Sequence, residues 1–146
     1  MSEIEKFPSL VADIMSSPVI ALDVNCSTKD AAKIMVENKI GSIVVLDRGR
    51  AAGIVTERDM LEKVLAVGKD PTIVELRQIM SSPLIKTDKD ATILEAIRKM
   101  RHHNIRRLVI MEGDQLVGLV TEKDIIKAVA FASLTSFHSL LAIRKS

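Results

Sequence analysis

Aromatic rings are nearly missing from this chain. Its 146 residues include three Phe and neither Tyr nor Trp, and Phe7, Phe131 and Phe137 fall toward the ends. Modules that hold single strands by stacking bases on rings would have little to stack with, so a bound base must rest on aliphatic walls and backbone groups. A single cysteine, Cys26, excludes an internal disulfide and a cysteine-based metal cluster. Its neighbours Asn25 and Ser27 offer no base to activate the thiol, so packing or simple exposure is its expected role. A formal charge of +2 gives no dedicated face for a polyanion, and nucleic acid is not an expected partner. Apolar residues make up 47% of the chain but nowhere form the run of roughly 20 that crosses a bilayer. The opening MSEIEKFPSLVADIM begins with acidic residues instead of a basic stretch before an apolar one. A soluble, cytoplasmic protein with no membrane partner is the expectation.

What the chain does have is a duplication. A shift of 65 positions lays IMSSPVI (14–20) on IMSSPLI (79–85), Asp23 on Asp88, Met35 on Met100 and Gly53 on Gly118, with no gap. The phrase GIVTERDM (53–60) returns as GLVTEKDI (118–125). Residues 1–67 therefore hold a first repeat with an N-terminal segment. Residues 68–146 hold a linker, the second repeat and a helical tail. Within the linker, Gly68 and Pro71 mark a loop leading into a short helix assigned to the second repeat, with PSLVADIM as its N-terminal counterpart.

Each repeat reads β-α-β-β-α. A β-prone run (VIALDV; LIKTD) follows the proline, and Ser27 with Asp30, and Thr92 with Glu95, mark helix starts. Apolar residues at helical spacing follow, then two β-branched runs joined by the short turns DRGR and EGDQ. A last amphipathic helix closes the unit, with Met60, Leu61, Val64 and Leu65 on one side in the first copy. The expected fold class is α+β: two βαββα repeats packed through their sheets about a pseudo-twofold axis, with flanking terminal helices and two related clefts. In the tail, Phe131, Leu134, Phe137, Leu140 and Leu141 form an apolar stripe that points to packing on the body or on a second copy in a homodimer.

The duplicated T-x-x-D carries two readings. Thr56 and Asp59, and Thr121 and Asp124, suit a helix cap, with the hydroxyl accepting from a free amide and the carboxylate favoured by the helix dipole. The same geometry suits a ribose phosphate, since a helix N-terminus attracts the phosphate and a carboxylate accepts from a vicinal diol.

Taken together, IMSSP at each entrance, IGSIVVLD and IRRLVIM in the middle strands, and GIVTERD and GLVTEKD at the exits resemble the CBS domain, named after cystathionine β-synthase, which occurs in tandem pairs. The resemblance runs from about Ile14 to Ile125 and its closing helix. It implies a stand-alone, regulatory, energy-sensing module that binds adenosine nucleotides in clefts between repeats. AMP leads ADP and ATP as the expected ligand, no cofactor is required, and occupancy is passed to an unknown regulated protein. It implies Thr56 and Asp59 for one ribose and phosphate site and Thr121 and Asp124 for the other. Arg106 and Arg107 match a basic pair that serves phosphate through the planar guanidinium fork. As successive strand residues they point to opposite faces. Copy one has Gly41 and Ser42 there, so the two clefts should differ in phosphate affinity. Ile20, Ile40, Ile85 and Ile105 would wall the adenine, and each is equally explained as core. Arg58 and Lys123 read as helix-surface charges.

Other functions stay open at this level. S-adenosylmethionine or NAD could take the place of AMP, and an empty scaffold or protein-interaction module would need only the caps. No enzyme is expected: His102 and His103 are adjacent and should diverge, His138 lies in the tail, and none joins a metal or acid-base set.

Overall fold

A computed structural model describes residues 9–145, with side chains as far as Leu134. Phe7 and the side chains of Phe137, His138, Leu140 and Leu141 lie outside that range, so the last part of the apolar stripe does too. Two compact units are present, one contiguous (Val19–Ile85) and one assembled from residues up to Pro18 together with Lys86 onward.

In the contiguous unit, β1 (Ala21–Asp23), α1 (Thr28–Asn38), β2 (Ser42–Asp47), β3 (Arg50–Thr56) and α2 (Glu57–Met60) follow the expected β-α-β-β-α order. The helix α1 starts where the sequence says it should: Asp30 N donates to Ser27 Oγ at 3.1 Å and Ser27 N to the Asp30 carboxylate. It ends at Lys39, held left-handed at φ 54°. The strand β2 runs parallel to β1 and antiparallel to β3, through a two-residue turn whose Arg48 and Gly49 both have positive φ, the combination that matches strand twist. Ile43, Val45, Val55, Met60 and Val64 bury a core with Ala31 and Met35 of α1.

The other unit repeats this with β4 (Lys86–Asp88), α4 (Ile93–His103), β5 (Arg107–Glu112), β6 (Gln115–Thr121) and α5 (Glu122–Lys145). Thr92 and Glu95 form its capping box, and Asn104 takes the left-handed position. Leu108, Val109, Ile110 and Val120 are buried together with Ala96 and Met100.

The closing element differs between copies. Behind α2 the first copy continues as a π turn (Leu61–Leu65), whereas α5 is continuous α-helix. Met60 and Val64 are buried, but Leu61 and Leu65 are 57% and 61% exposed, so the four do not form one packed face. The π turn loosens the 3.6-residue period on which the sequence pattern relies.

Each unit also contains a segment from outside its own repeat. The helix α3 (Leu76–Ile79), which the duplication places at the head of the second repeat, packs on the first: Leu76 N donates to Cys26 O at 2.9 Å and Arg77 N to Val24 O at 3.0 Å. Correspondingly, a 3-10 turn (Val11–Asp13) docks by Val11 N on Ala91 O, while Ile93 N donates to Ser9 O. A division at residue 67 follows the duplication along the chain, while packing gathers Val19–Ile85, the linker helix included, into one compact unit. The reason is edge pairing. Met80 and Ser81 run beside β3, with Ser81 N to Ile54 O at 2.9 Å and Ile54 N to Ser81 O at 3.1 Å. Met15 and Ser16 do the same beside β6 through Ser16 and Leu119. A strand edge is a row of unpaired donors and acceptors, and each IMSS segment covers one. Glycine is needed where this happens: a Cβ on Gly53 would lie 2.8 Å from Ser81 O, and one on Gly118 would run into the Met15 side chain.

Candidate functional site

Both T-x-x-D phrases stand where a strand hands over to a helix, and both are closed capping boxes. Thr121 N donates to Asp124 Oδ2 at 2.9 Å, the Thr121 hydroxyl donates to the same oxygen at 3.0 Å, and Asp124 N donates back to Thr121 Oγ1 at 3.2 Å. The first copy matches, at 2.9, 3.1 and 3.3 Å between Thr56 and Asp59. All four residues are half-buried.

The cap does not exhaust these groups. A threonine hydroxyl has one donor and two lone pairs, and a carboxylate has about four acceptor positions on two oxygens. The donor and one lone pair of Thr121 are used, as is one oxygen of Asp124. Among the described residues, Asp124 Oδ1 accepts no hydrogen bond and meets no cation. In the first copy the equivalent oxygen is taken, since Asp59 Oδ1 lies 3.0 Å from Lys63 Nζ. The open backbone at the helix start is narrower than sequence suggests, because Glu122 N already donates to Arg106 O at 2.8 Å and Glu57 N to Gly41 O at 3.1 Å.

The two arginines differ in their surroundings. Arg107 is the cross-strand partner of Thr121, so the two side chains share one face of the sheet. Arg107 is half-buried, and among the described residues its buried Nε has no acceptor. Arg106 stands just before β5 and is exposed, its Nε 3.7 Å from the Glu122 carboxylate. In the first copy Ser42 is paired with Thr56 and is buried. Thus Arg107, Thr121 and Asp124 stand on one face of one unit, and the first copy has no arginine in that place.

Ile20, Ile40, Ile85 and Ile105 are all half-buried. Ile40 packs against the core of the contiguous unit, and its amide and that of Ile105 close the helix ends by donating to Met35 O and Met100 O. Cys26 packs partly against the same core. Arg58 is an exposed charge held by Glu62 at 2.6 Å, and this carboxylate raises its pKa through a hydrogen bond and then through its charge. His102 and His103 do not diverge; their exposed rings meet edge to face at 4.9 Å. No group of three or more His, Cys, Asp or Glu capable of holding a metal is found among the described residues. No helix among them is long and apolar enough to cross a membrane.

Sequence reasoning passed over Lys63, Met15 and Met80. The repeated IMSS was a usable signal for the two methionines. For Lys63 the signal was its i+4 spacing from Asp59 and its replacement by Ala128 in the second copy.

Known proteins share the repeats and the fold. The model of the CBS domain matches residues 11–66 and again 76–131. Uncharacterized protein MJ1404 of Methanocaldococcus jannaschii is 38% identical over 133 residues, covering 82% of this chain and 32% of that protein. The CBS domain-containing protein YhcV of Bacillus subtilis is 31% identical over 117 residues, covering 80% and 83%. This chain spans from 32% to 65% of the length of the first curated relatives it matches. Among solved structures, the CBS domain pair of protein MJ0100, in complex with 5'-methylthioadenosine and S-adenosyl-L-methionine, superposes with a TM-score of 0.76 at 30% identity, covering 84% of this chain and 97% of that one. With both repeats matched and its fold shared with such a pair, the chain belongs to the CBS domain family.

Proposed function

We propose that the chain is a non-catalytic regulatory module that binds an adenosine nucleotide, AMP before ADP or ATP, and passes its occupancy to a protein partner. The observation that carries this is the composite of Arg107, Thr121 and Asp124 on one sheet face, with an unpaired guanidinium donor and an open carboxylate oxygen. A sugar diol has two hydroxyl donors. One would reach Asp124 Oδ1 and the other the remaining lone pair of Thr121, so sugar binding and capping coexist. The Arg107 fork would take the phosphate. Dimerisation of the chain through exposed apolar positions on α5, such as Ile126 and Val129, belongs to the same proposal.

Regulation requires a ligand that prefers one state of the protein over another. Titration calorimetry with AMP, ADP and ATP tests the binding step: saturable heat that disappears in Asp124→Asn supports it, and heat that survives this change overturns the assignment. A second reading, an S-adenosyl ligand, is favoured by the ligands of the MJ0100 pair. Arg107→Ala separates the two. Hydrogen bonds to charged groups contribute about 1.5–3 kcal/mol, so AMP should bind roughly ten- to a hundredfold more weakly while S-adenosylmethionine is little changed.

A further inference from the structure

The duplication is not symmetrical at the two carboxylates. We propose that Lys63 occupies the first-repeat sugar site from within, leaving one adenosyl site per chain, at Thr121 and Asp124; this rests on the sugar-site reading above.

Lys63 Nζ lies 3.0 Å from Asp59 Oδ1 and also donates to Ile79 O at 2.9 Å. The Asp59 side chain is only 14% exposed, so this ion pair is shielded on the carboxylate side, unlike a surface pair. Asp59 stands four residues before Lys63 within one helical run, the favourable order for such a pair. With Thr56 N and Oγ1 on Oδ2 and Lys63 on Oδ1, three of the about four acceptor positions of the carboxylate are engaged within the chain, and the ammonium stands on the oxygen that carries the fourth. An incoming diol would have to share Oδ1 with the Lys63 ammonium or displace it.

Lys63 is more than a cap partner. Its second bond, to Ile79 O, reaches the end of α3, one residue before the Met80–Ser81 segment that covers β3. One ammonium therefore ties the cap carboxylate to the segment across the strand edge. Lys63 sits inside the π turn, the kind of helix irregularity that often marks a functional position.

In the second copy every part of this device is missing. Ala128 stands at the matching position, α5 is regular, and Asp124 Oδ1 is open. The guanidinium is present there and absent from the first copy, where Ser42 is buried. Both differences favour the same copy.

Calorimetry with AMP as the probe, repeated with S-adenosylmethionine where AMP gives no heat, tests the proposal on four proteins. The unsubstituted chain should bind one equivalent, Asp59→Asn should still bind one, and Lys63→Met should gain a second, which for AMP is about ten- to a hundredfold weaker than the first because Ser42 stands in the place of the arginine. Ala128→Lys, which installs the amine in the second copy, should weaken binding at least tenfold. Should Lys63→Met unfold, Ala128→Lys and Asp59→Asn decide alone. Two equivalents in the unsubstituted chain, one in a folded Lys63→Met, or unweakened binding in Ala128→Lys would overturn the latch while leaving the sugar-site reading standing. Absence of binding in all four with both probes overturns both.

Discussion

Replacing Gly53 with Ala should destabilise the protein more than replacing Gly118, although the two glycines occupy equivalent places. A Cβ on Gly53 would lie 2.7 Å from Met80 Sδ, 2.8 Å from Ser81 O and 3.0 Å from Met80 Cγ. Comfortable carbon contacts begin at about 3.5 Å, so Ser81 O would have to retreat by roughly 0.7 Å. That carbonyl accepts from Ile54 N at 3.1 Å, and the adjacent Ser81 N donates to Ile54 O at 2.9 Å, so the displacement breaks one bond and strains the other. Overpacking costs about 1–3 kcal/mol and each lost bond about 0.5–1.5, offset by about 0.5–1 gained when alanine replaces glycine in a strand. The net is about 2 kcal/mol, a large part of a small protein's total stability. On Gly118 the obstructing atoms all belong to the Met15 side chain, Cγ at 2.8 Å and Cβ at 3.0 Å among them, and a flexible chain can swing aside. Gly118→Ala should therefore cost about 1–2 kcal/mol. Urea unfolding followed by circular dichroism gives both values from midpoints at a common slope. Adding Met15→Ala should recover most of the Gly118→Ala loss, whereas Met80→Ala should recover little of the Gly53→Ala loss. Equal costs, or full recovery by Met80→Ala, would refute the assignment of the penalty to Ser81 O.

Two further outcomes follow from local geometry. Lys39→Gly relieves a left-handed helix end at φ 54° and should raise stability by about 1 kcal/mol in thermal unfolding, with a smaller gain for Asn104→Gly because asparagine tolerates that conformation. Asp70 accepts from the Thr72 hydroxyl at 2.7 Å and from its amide at 2.9 Å, which lowers the Asp70 pKa. Its contribution to stability is present above the unfolded carboxylate pKa and is lost as pH falls through the lowered folded value. In Thr72→Val the Asp70 titration, followed by NMR, should move upward; an unmoved titration would contradict this cause.

Most of the architecture could be read directly. Duplicated capping residues, β-branched runs and two-residue turns act over a few positions, so Ser27, Thr92 and the DRGR turn declare themselves without tertiary information. The docking of α3 on the first repeat was not legible, because it depends on which free edge a distant segment pairs with. Exposure of Leu61 and Leu65 was hidden by the π turn. At the candidate site, T-x-x-D gave the cap but could not tell how many carboxylate positions would be used within the chain. That count depends on Lys63, which becomes visible as a participant only when the helix turn brings its amine to Asp59.

The crossing of segments gives the chain a nested order, like a clause set in parentheses: Val19–Ile85 is an uninterrupted insertion, and its host is written on both sides of it. Dissection should respect that grammar. A piece cut at residue 67 would strip Ile54, Cys26 and Val24 of their backbone partners and leave a raw strand margin open to aggregation. Excising 19–85 as one block, and splicing Pro18 to Lys86, would keep every such partnership inside the fragment that needs it.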